Sequence, residues 1–323
     1  MPGVFKALGK VIRHGPQILC VYPSAFESEE ERISNYSFPR NVEFEDVTIT
    51  TSDKISLECY LLRASQRRNR TETPNSSHSR LSFRTSSPSV TPRALVIMFH
   101  GNGYHAWHHG YSGQQFLRLG CDVLLVEYRG YGRSSGVPSE KGLRRDAQAA
   151  LEYVISHPEL SRLHIIIHGH SLGGAVAIDL AGRNPEKISG LIIENTFLSI
   201  PEVAKAIPGI RHFTFVIHQR WESYRRILRI PKSIPILMFS GKKDEVVPEL
   251  HMLQLWKLAA SRGEGTDLKK DKKRRSRLEG EVSETLDRGN DMFKSIPEGT
   301  HADTWTRSGY WSTIDTFLKK LDL

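Results

Sequence analysis

Cysteine is scarce in this chain. There are three, Cys20, Cys59 and Cys121, widely spaced and without a C-x-x-C pair. Neither a disulfide framework nor a zinc site follows from them, and a reducing compartment is the default. Long apolar runs are missing too: none reaches the roughly 18 residues that a membrane-crossing helix needs. The stretch Lys6–Tyr22 mixes basic and apolar residues and is interrupted by Gly15-Pro16. It is too short and broken for the apolar region of a signal peptide. Two readings stay open for it, contact with a membrane surface or packing against the domain. No P-loop and no dinucleotide fingerprint occurs, and no cofactor is expected. The net charge of +9 is concentrated in Arg67-Arg68-Asn69-Arg70 and in Lys269-Lys270-Asp271-Lys272-Lys273-Arg274-Arg275. No aromatic platform is interleaved with these runs, so they read as solvated loops and no nucleic-acid partner is expected.

What is present is an alternation of strands and helices. Glu43–Thr50 and Ile55–Leu62 flank a turn at Thr51-Ser52-Asp53-Lys54 and read as an opening hairpin. Residues 64–93 change abruptly to Ser, Arg, Thr, Asn and Pro, the composition of a disordered insertion. Short apolar runs then follow at Ala94–Phe99, Val123–Val126, Leu163–Ile167, Leu191–Ile193, Ile236–Phe239 and Met292–Ile296, separated by helical patterns. That rhythm predicts an α/β fold with a mostly parallel eight-stranded sheet and helices on both faces. Residues 1–40 form an N-terminal extension to a domain spanning 41–323. Within it, 200–230 is a proline-punctuated, helix-prone cap and 261–291 a charged insertion. The apolar residues of the cap, Phe213, Phe215, Val216, Ile217 and Trp221, favour an acyl chain beneath it.

The most informative segment is Gly169-His170-Ser171-Leu172-Gly173, set between a strand and a helix. Strand, G-x-S-x-G and helix make a nucleophile elbow, with the serine at the tip of a strained turn. A serine hydroxyl needs a base, and the base needs an orienting carboxylate. In this arrangement the acid follows the serine along the chain and the histidine comes last. Asp244, just past Ile236–Phe239, is the candidate acid, with Glu245 as runner-up; the plain alternative for Asp244 is helix capping. His301 in Gly299-Thr300-His301-Ala302-Asp303 is the candidate base, and Asp303 is expected to brace its loop. Two backbone N–H donors for an oxyanion are expected from Leu172 and from Asn102 in His100-Gly101-Asn102-Gly103. His105, His108 and His109 lack carboxylate support for a metal site, and none is expected. His168 and His170 are expected to shape the elbow.

Tyr22-Pro23-Ser24-Ala25-Phe26, His100-Gly101-Asn102-Gly103, Tyr128-Arg129-Gly130-Tyr131-Gly132, Glu194-Asn195-Thr196-Phe197, Ser240-Gly241-Lys242-Lys243-Asp244 and Gly299-Thr300-His301-Ala302-Asp303-Thr304 together resemble the Bem-forty-six family of α/β hydrolases. The resemblance, to the α/β-hydrolase-domain-thirteen type in particular, covers nearly the whole chain outside the two insertions. It implies an α/β-hydrolase fold, with the family's serine, aspartate and histidine falling on Ser171, Asp244 and His301. It also implies a serine hydrolase acting on an ester or thioester, its substrate a small molecule or an acylated protein, since a related branch removes fatty acyl groups from protein cysteines. A serine peptidase or amidase, and a non-catalytic scaffold of the same fold, are the alternatives. Family members carry an N-terminal membrane anchor. Here Lys6–Tyr22 stands in that place, and the expectation is an intracellular protein, cytoplasmic or peripheral to the endoplasmic-reticulum or plasma membrane.

Overall fold

Ala94–Phe99 (β3) and Cys121–Val126 (β4) are buried at every residue. Strands covered on both faces have no reason to alternate apolar with polar, and a parallel sheet between two helical layers requires such strands. His164–His170 (β5), Gly190–Glu194 (β6) and Ile236–Gly241 (β7) follow the same rule. Glu45–Thr50 (β1), at the sheet edge, alternates, and Ser56–Leu62 (β2) joins it to β4. The structure, a computed structural model, describes residues 42–64, 92–205, 217–263 and 285–323, together with Val21, Tyr22, Glu30, Arg32 and Phe38. Most of Lys6–Tyr22, of the two insertions and the middle of the cap, with Phe213, Phe215 and Val216, therefore lie outside the described residues.

Among the described residues the sheet has nine strands, ordered β1-β2-β4-β3-β5-β6-β7 and then two more from the end of the chain. The ninth corrects the expected eight. Residues Thr285–Arg288, inside the segment read as a charged insertion, form β8, which pairs antiparallel with Asp291–Ile296 (β9). Gly289, with φ of 64°, and Asn290 make the two-residue turn between them. The pairs β4–β3, β3–β5, β5–β6, β6–β7 and β7–β9 are parallel.

Helices cover both faces. Glu140–Ser156 (α2), Leu172–Arg183 (α3) and Leu250–Ala259 (α6) pack Leu143, Leu151, Val176, Ile178 and Leu255 with Leu95 and Ile97 of β3. On the opposite face Gly110–Arg118 (α1) and Tyr310–Lys320 (α7) pack Phe116, Ile314 and Phe317 against Val96 and Met98 of the same strand. Of the cap, residues 200–205 and 217–230 are described, and they include two short helices, Ile200–Ala204 (α4) and Ser223–Arg226 (α5). Trp221 does not line a pocket there. It is fully buried in the first core, and its Nε1–H donates to the Tyr22 hydroxyl at 2.9 Å. Among the described residues no helix is long and apolar enough to cross a membrane.

The chain winds outward from β3 in both directions, with β4 on one side and β5 on the other. The carboxyl ends of the strands beside such a reversal form an open crevice, where side chains from separate loops converge.

Candidate active site

β5 delivers Ser171 with φ of 53° and ψ of −117°. This is a costly conformation for a residue with a Cβ, held because its surroundings over-determine it. The Ser171 N–H donates to Glu194 O at 2.9 Å. Its carbonyl accepts the Gly174 N–H at 3.0 Å and the Thr196 hydroxyl at 2.7 Å. The flanking glycines are dictated by contact: a Cβ at Gly169 would lie 2.2 Å from Gly173 O, and one at Gly173 would lie 2.0 Å from Phe99 O.

The loops after β7 and β9 come to meet this turn. His301 Nε2 lies 3.0 Å from Ser171 Oγ, and His301 Nδ1 lies 2.8 Å from Asp244 Oδ2. A carboxylate only accepts, so Nδ1 carries the proton and Nε2 offers its lone pair to the serine hydroxyl. Asp244 Oδ1 accepts the N–H groups of Val246 (2.9 Å) and Val247 (2.7 Å). These two bonds brace the turn ahead of the next helix and do not cap it, since that helix begins at Leu250 with Glu249 as its N-cap; one oxygen of Asp244 holds the turn and the other meets His301. Glu245, the runner-up, is exposed. Asp303 accepts the Thr300 N–H at 2.9 Å and pairs with Arg307.

On the other side of the serine, Leu172 opens α3, where the first N–H groups have no acceptor within the helix. Asn102 lies in the loop after β3 and is held by the Gly-rich loop after β4. The Tyr131 hydroxyl donates to Asn102 Oδ1 at 2.9 Å, and the Tyr128 hydroxyl donates to His100 O at 3.1 Å. Glu127, just before these tyrosines, is fully buried and accepts the Ala106 N–H at 3.1 Å. Burial alone would raise its carboxyl, but His100 and His105 outweigh it and hold it below the ordinary value. Of the other histidines weighed as ligands, His105 accepts the Gly132 N–H on Nδ1 (3.1 Å) and His108 accepts the His105 N–H on Nδ1 (2.9 Å).

Three further residues frame the site. His170 Nε2–H donates to His301 O at 2.8 Å; burial and then the neighbouring His301 push its ring down to about 3, so it is neutral. Asn195 bonds to the loops of both Asp244 and His301. Glu194 accepts the Tyr310 hydroxyl at 2.8 Å, and the Trp305 N–H adds to that pull on the buried carboxyl. Burial pushes Glu194 up to about 8, against the pull of Tyr310. It lines a small cavity of about 40 Å³ beside His301, with His109, His170 and Ala302. The signal for His170 was its place beside the serine. Asn195, Tyr128 and Tyr131 stood in the sequence as motif members whose tasks the spacing did not reveal.

A doubly wound sheet with a strained serine turn, and with histidine and aspartate loops meeting it, defines the α/β-hydrolase class. Known proteins agree. The profile of the family described as serine aminopeptidase, S33 matches residues 90–226. Protein bem46 of Schizosaccharomyces pombe is 34% identical over 98% of this chain and 90% of its own. An uncharacterized membrane protein of Saccharomyces cerevisiae is 29% identical over 92% of this chain and 87% of its own. Among solved structures, an esterase of Pyrococcus furiosus superposes with a TM-score of 0.61 at 17% identity, over 89% of this chain and 94% of that one. An α/β hydrolase of Vibrio vulnificus gives 0.61 at 22% identity, over 85% and 81%. The chain belongs to the Bem-forty-six-like α/β hydrolases.

Proposed function

We propose that this hydrolase cleaves a carboxylic ester or thioester through an acyl-enzyme on Ser171. One observation carries the reading: His301 bridges Ser171 Oγ (3.0 Å) and Asp244 (2.8 Å), one through each ring nitrogen. In the reaction His301 Nε2 takes the hydroxyl proton as Oγ bonds to the acyl carbon. Asp244 stabilises the imidazolium, and the N–H groups of Asn102 and Leu172 bind the oxyanion. Collapse breaks the bond to the alcohol or thiol, which leaves with the proton from His301. Water then enters by the same route, its proton passing to His301 and back to Ser171 Oγ as the acid departs. The substrate class is an acyl-lipid or an acylated protein, supported by the apolar sequence of the cap at Phe213, Phe215, Val216 and Ile217 and by the esterases that share the fold. A peptidase or amidase is the second reading, favoured by the match to the serine aminopeptidase family. Peripheral membrane contact through Lys6–Tyr22 belongs to the same proposal.

The test is fluorophosphonate labelling of the purified chain beside Ser171→Ala. Labelling lost in the variant, followed by turnover of p-nitrophenyl esters and acyl thioesters above that of aminoacyl anilides, is the expected result. An unlabelled, folded wild type would sink the reading in favour of a scaffold.

A further inference from the structure

β6 lies between the strand that carries Ser171 and the strand that leads to Asp244. The residue that leaves it, Asn195, is 1% exposed and has φ of 46°. Among residues with a Cβ, asparagine enters this left-handed region at little cost. Its side chain is fully engaged. Oδ1 accepts the N–H of Gly241 at 2.8 Å, where β7 ends just ahead of Asp244. Nδ2 donates to Thr300 O (3.0 Å), Thr304 Oγ1 (3.0 Å) and, at 3.3 Å, His301 O. His301 O is the carbonyl that His170 also holds.

Other bonds join the acid turn to the histidine loop, but they end early. Lys242 N–H donates to Ile296 O at 3.0 Å and Lys243 N–H to Gly299 O at 2.9 Å. From Thr300 onward the loop backbone is held by Asn195, by His170 and by its own Asp303 and Thr304, whose hydroxyl donates to Thr300 O at 2.7 Å. One amide thus bonds at once to the turn that presents the acid and to the loop that presents the base. The chemistry fixes the residue type. Gly241 needs an acceptor, and the carbonyls of Thr300 and His301 need a donor. A carboxylate would set oxygen against those carbonyls, and an aliphatic side chain would serve neither.

We infer that Asn195 is the positioning residue of the Asp244–His301 pair, fixing where His301 Nε2 stands relative to Ser171 Oγ. The inference rests on the serine-hydrolase reading above. Its test uses the wild type, Asn195→Asp and Thr304→Val, each titrated to completion with a fluorophosphonate. Turnover of p-nitrophenyl butyrate is then expressed per titrated site. A misplacement of the base by about 1 Å predicts a kcat per site about 100-fold lower in Asn195→Asp, with KM within about threefold of the wild type. Thr304→Val removes one acceptor of the amide together with the Thr304 hydroxyl's own bond to Thr300 O (2.7 Å), loosening the same loop, and should lower kcat per site about three- to tenfold. A merely structural role would reduce the melting temperature and the number of titratable sites and leave kcat per site unchanged, which would overturn the inference. If Asn195→Asp does not fold, Asn195→Gly, which suits the φ of 46° and removes the amide alone, decides by the same criterion. A wild type that neither labels nor turns over removes the hydrolase reading and the inference together; a labelled wild type with unaltered kcat per site in the variants removes the inference alone.

Discussion

Replacing Glu194 by glutamine should shift the stability balance progressively toward the variant as pH rises. Glu194 is 2% exposed, and burial raises its carboxyl from 4.5 to about 8. Between those values the folded chain holds a proton that the unfolded chain has released. Raising the pH through this window therefore favours unfolding, the reverse of the usual carboxylate, by about 1.4 kcal/mol per pH unit. Over the whole interval from 4.5 to about 8 the loss is on the order of 4–5 kcal/mol. Glutamine has no proton to lose and keeps an acceptor for the Tyr310 hydroxyl. Its N–H₂ takes the place of the second oxygen, beside the Trp305 N–H, a constant cost of about 1–3 kcal/mol that does not depend on pH. The assay is guanidinium unfolding at equilibrium of both proteins at pH 5, 6, 7 and 8. Titrations common to both, such as those of His168 and His170, cancel in the difference. The stability of the variant minus that of the wild type should climb by about 1.4 kcal/mol per unit and level off above pH 8. A flat or falling difference would refute the argument that burial keeps Glu194 protonated.

Tyr131→Phe frees the Asn102 side chain and should lower kcat about tenfold with little change in KM, read by steady-state ester hydrolysis. Arg129 binds both oxygens of Asp53 and both of the buried Asp146. Arg129→Met should cost about 3–5 kcal/mol at pH 8. The cost should be smaller at pH 5, because burial already raises Asp146 to about 6 even against Arg129, and protonation relieves it; denaturation at the two values compares them. In liposome flotation the full chain should rise with anionic vesicles and a chain lacking residues 6–19 should not. Recovery of both in the dense fraction would remove the proposed membrane contact.

The parallel core was legible because its strands are uninterrupted apolar runs at helical intervals, as Ala94–Phe99 shows. Ser171 was legible because the elbow demands glycines on both sides, and the distances at Gly169 and Gly173 explain that demand. Asp244 and His301 could be placed by their order after particular strands, and the structure brings His301 to Ser171 and Asp244 to His301. β8 was hidden by its polar composition and by the charged run before it. The Gly289-Asn290 pair ahead of Asp291–Ile296 was a hairpin signal that would have revealed it. Asn195 and Tyr131 were opaque for another reason. Their partners lie on loops 46 and 29 residues away in the chain, and no local period encodes such a meeting.

The segment between β2 and β3 starts and finishes at one place. Ala64 N–H donates to Asp122 Oδ1 at 2.8 Å, and Arg93 N–H donates to Gly120 O at 2.8 Å. Both anchors lie where β4 begins, at the amino ends of the parallel strands, whereas Ser171, Asp244 and His301 all lie beyond the carboxyl ends. Whatever occupies that segment can be lengthened, shortened or exchanged without its endpoints transmitting a change to the chemistry. It is the natural seat for a cargo, such as a fused reporter domain, carried by an enzyme whose working edge faces the other way.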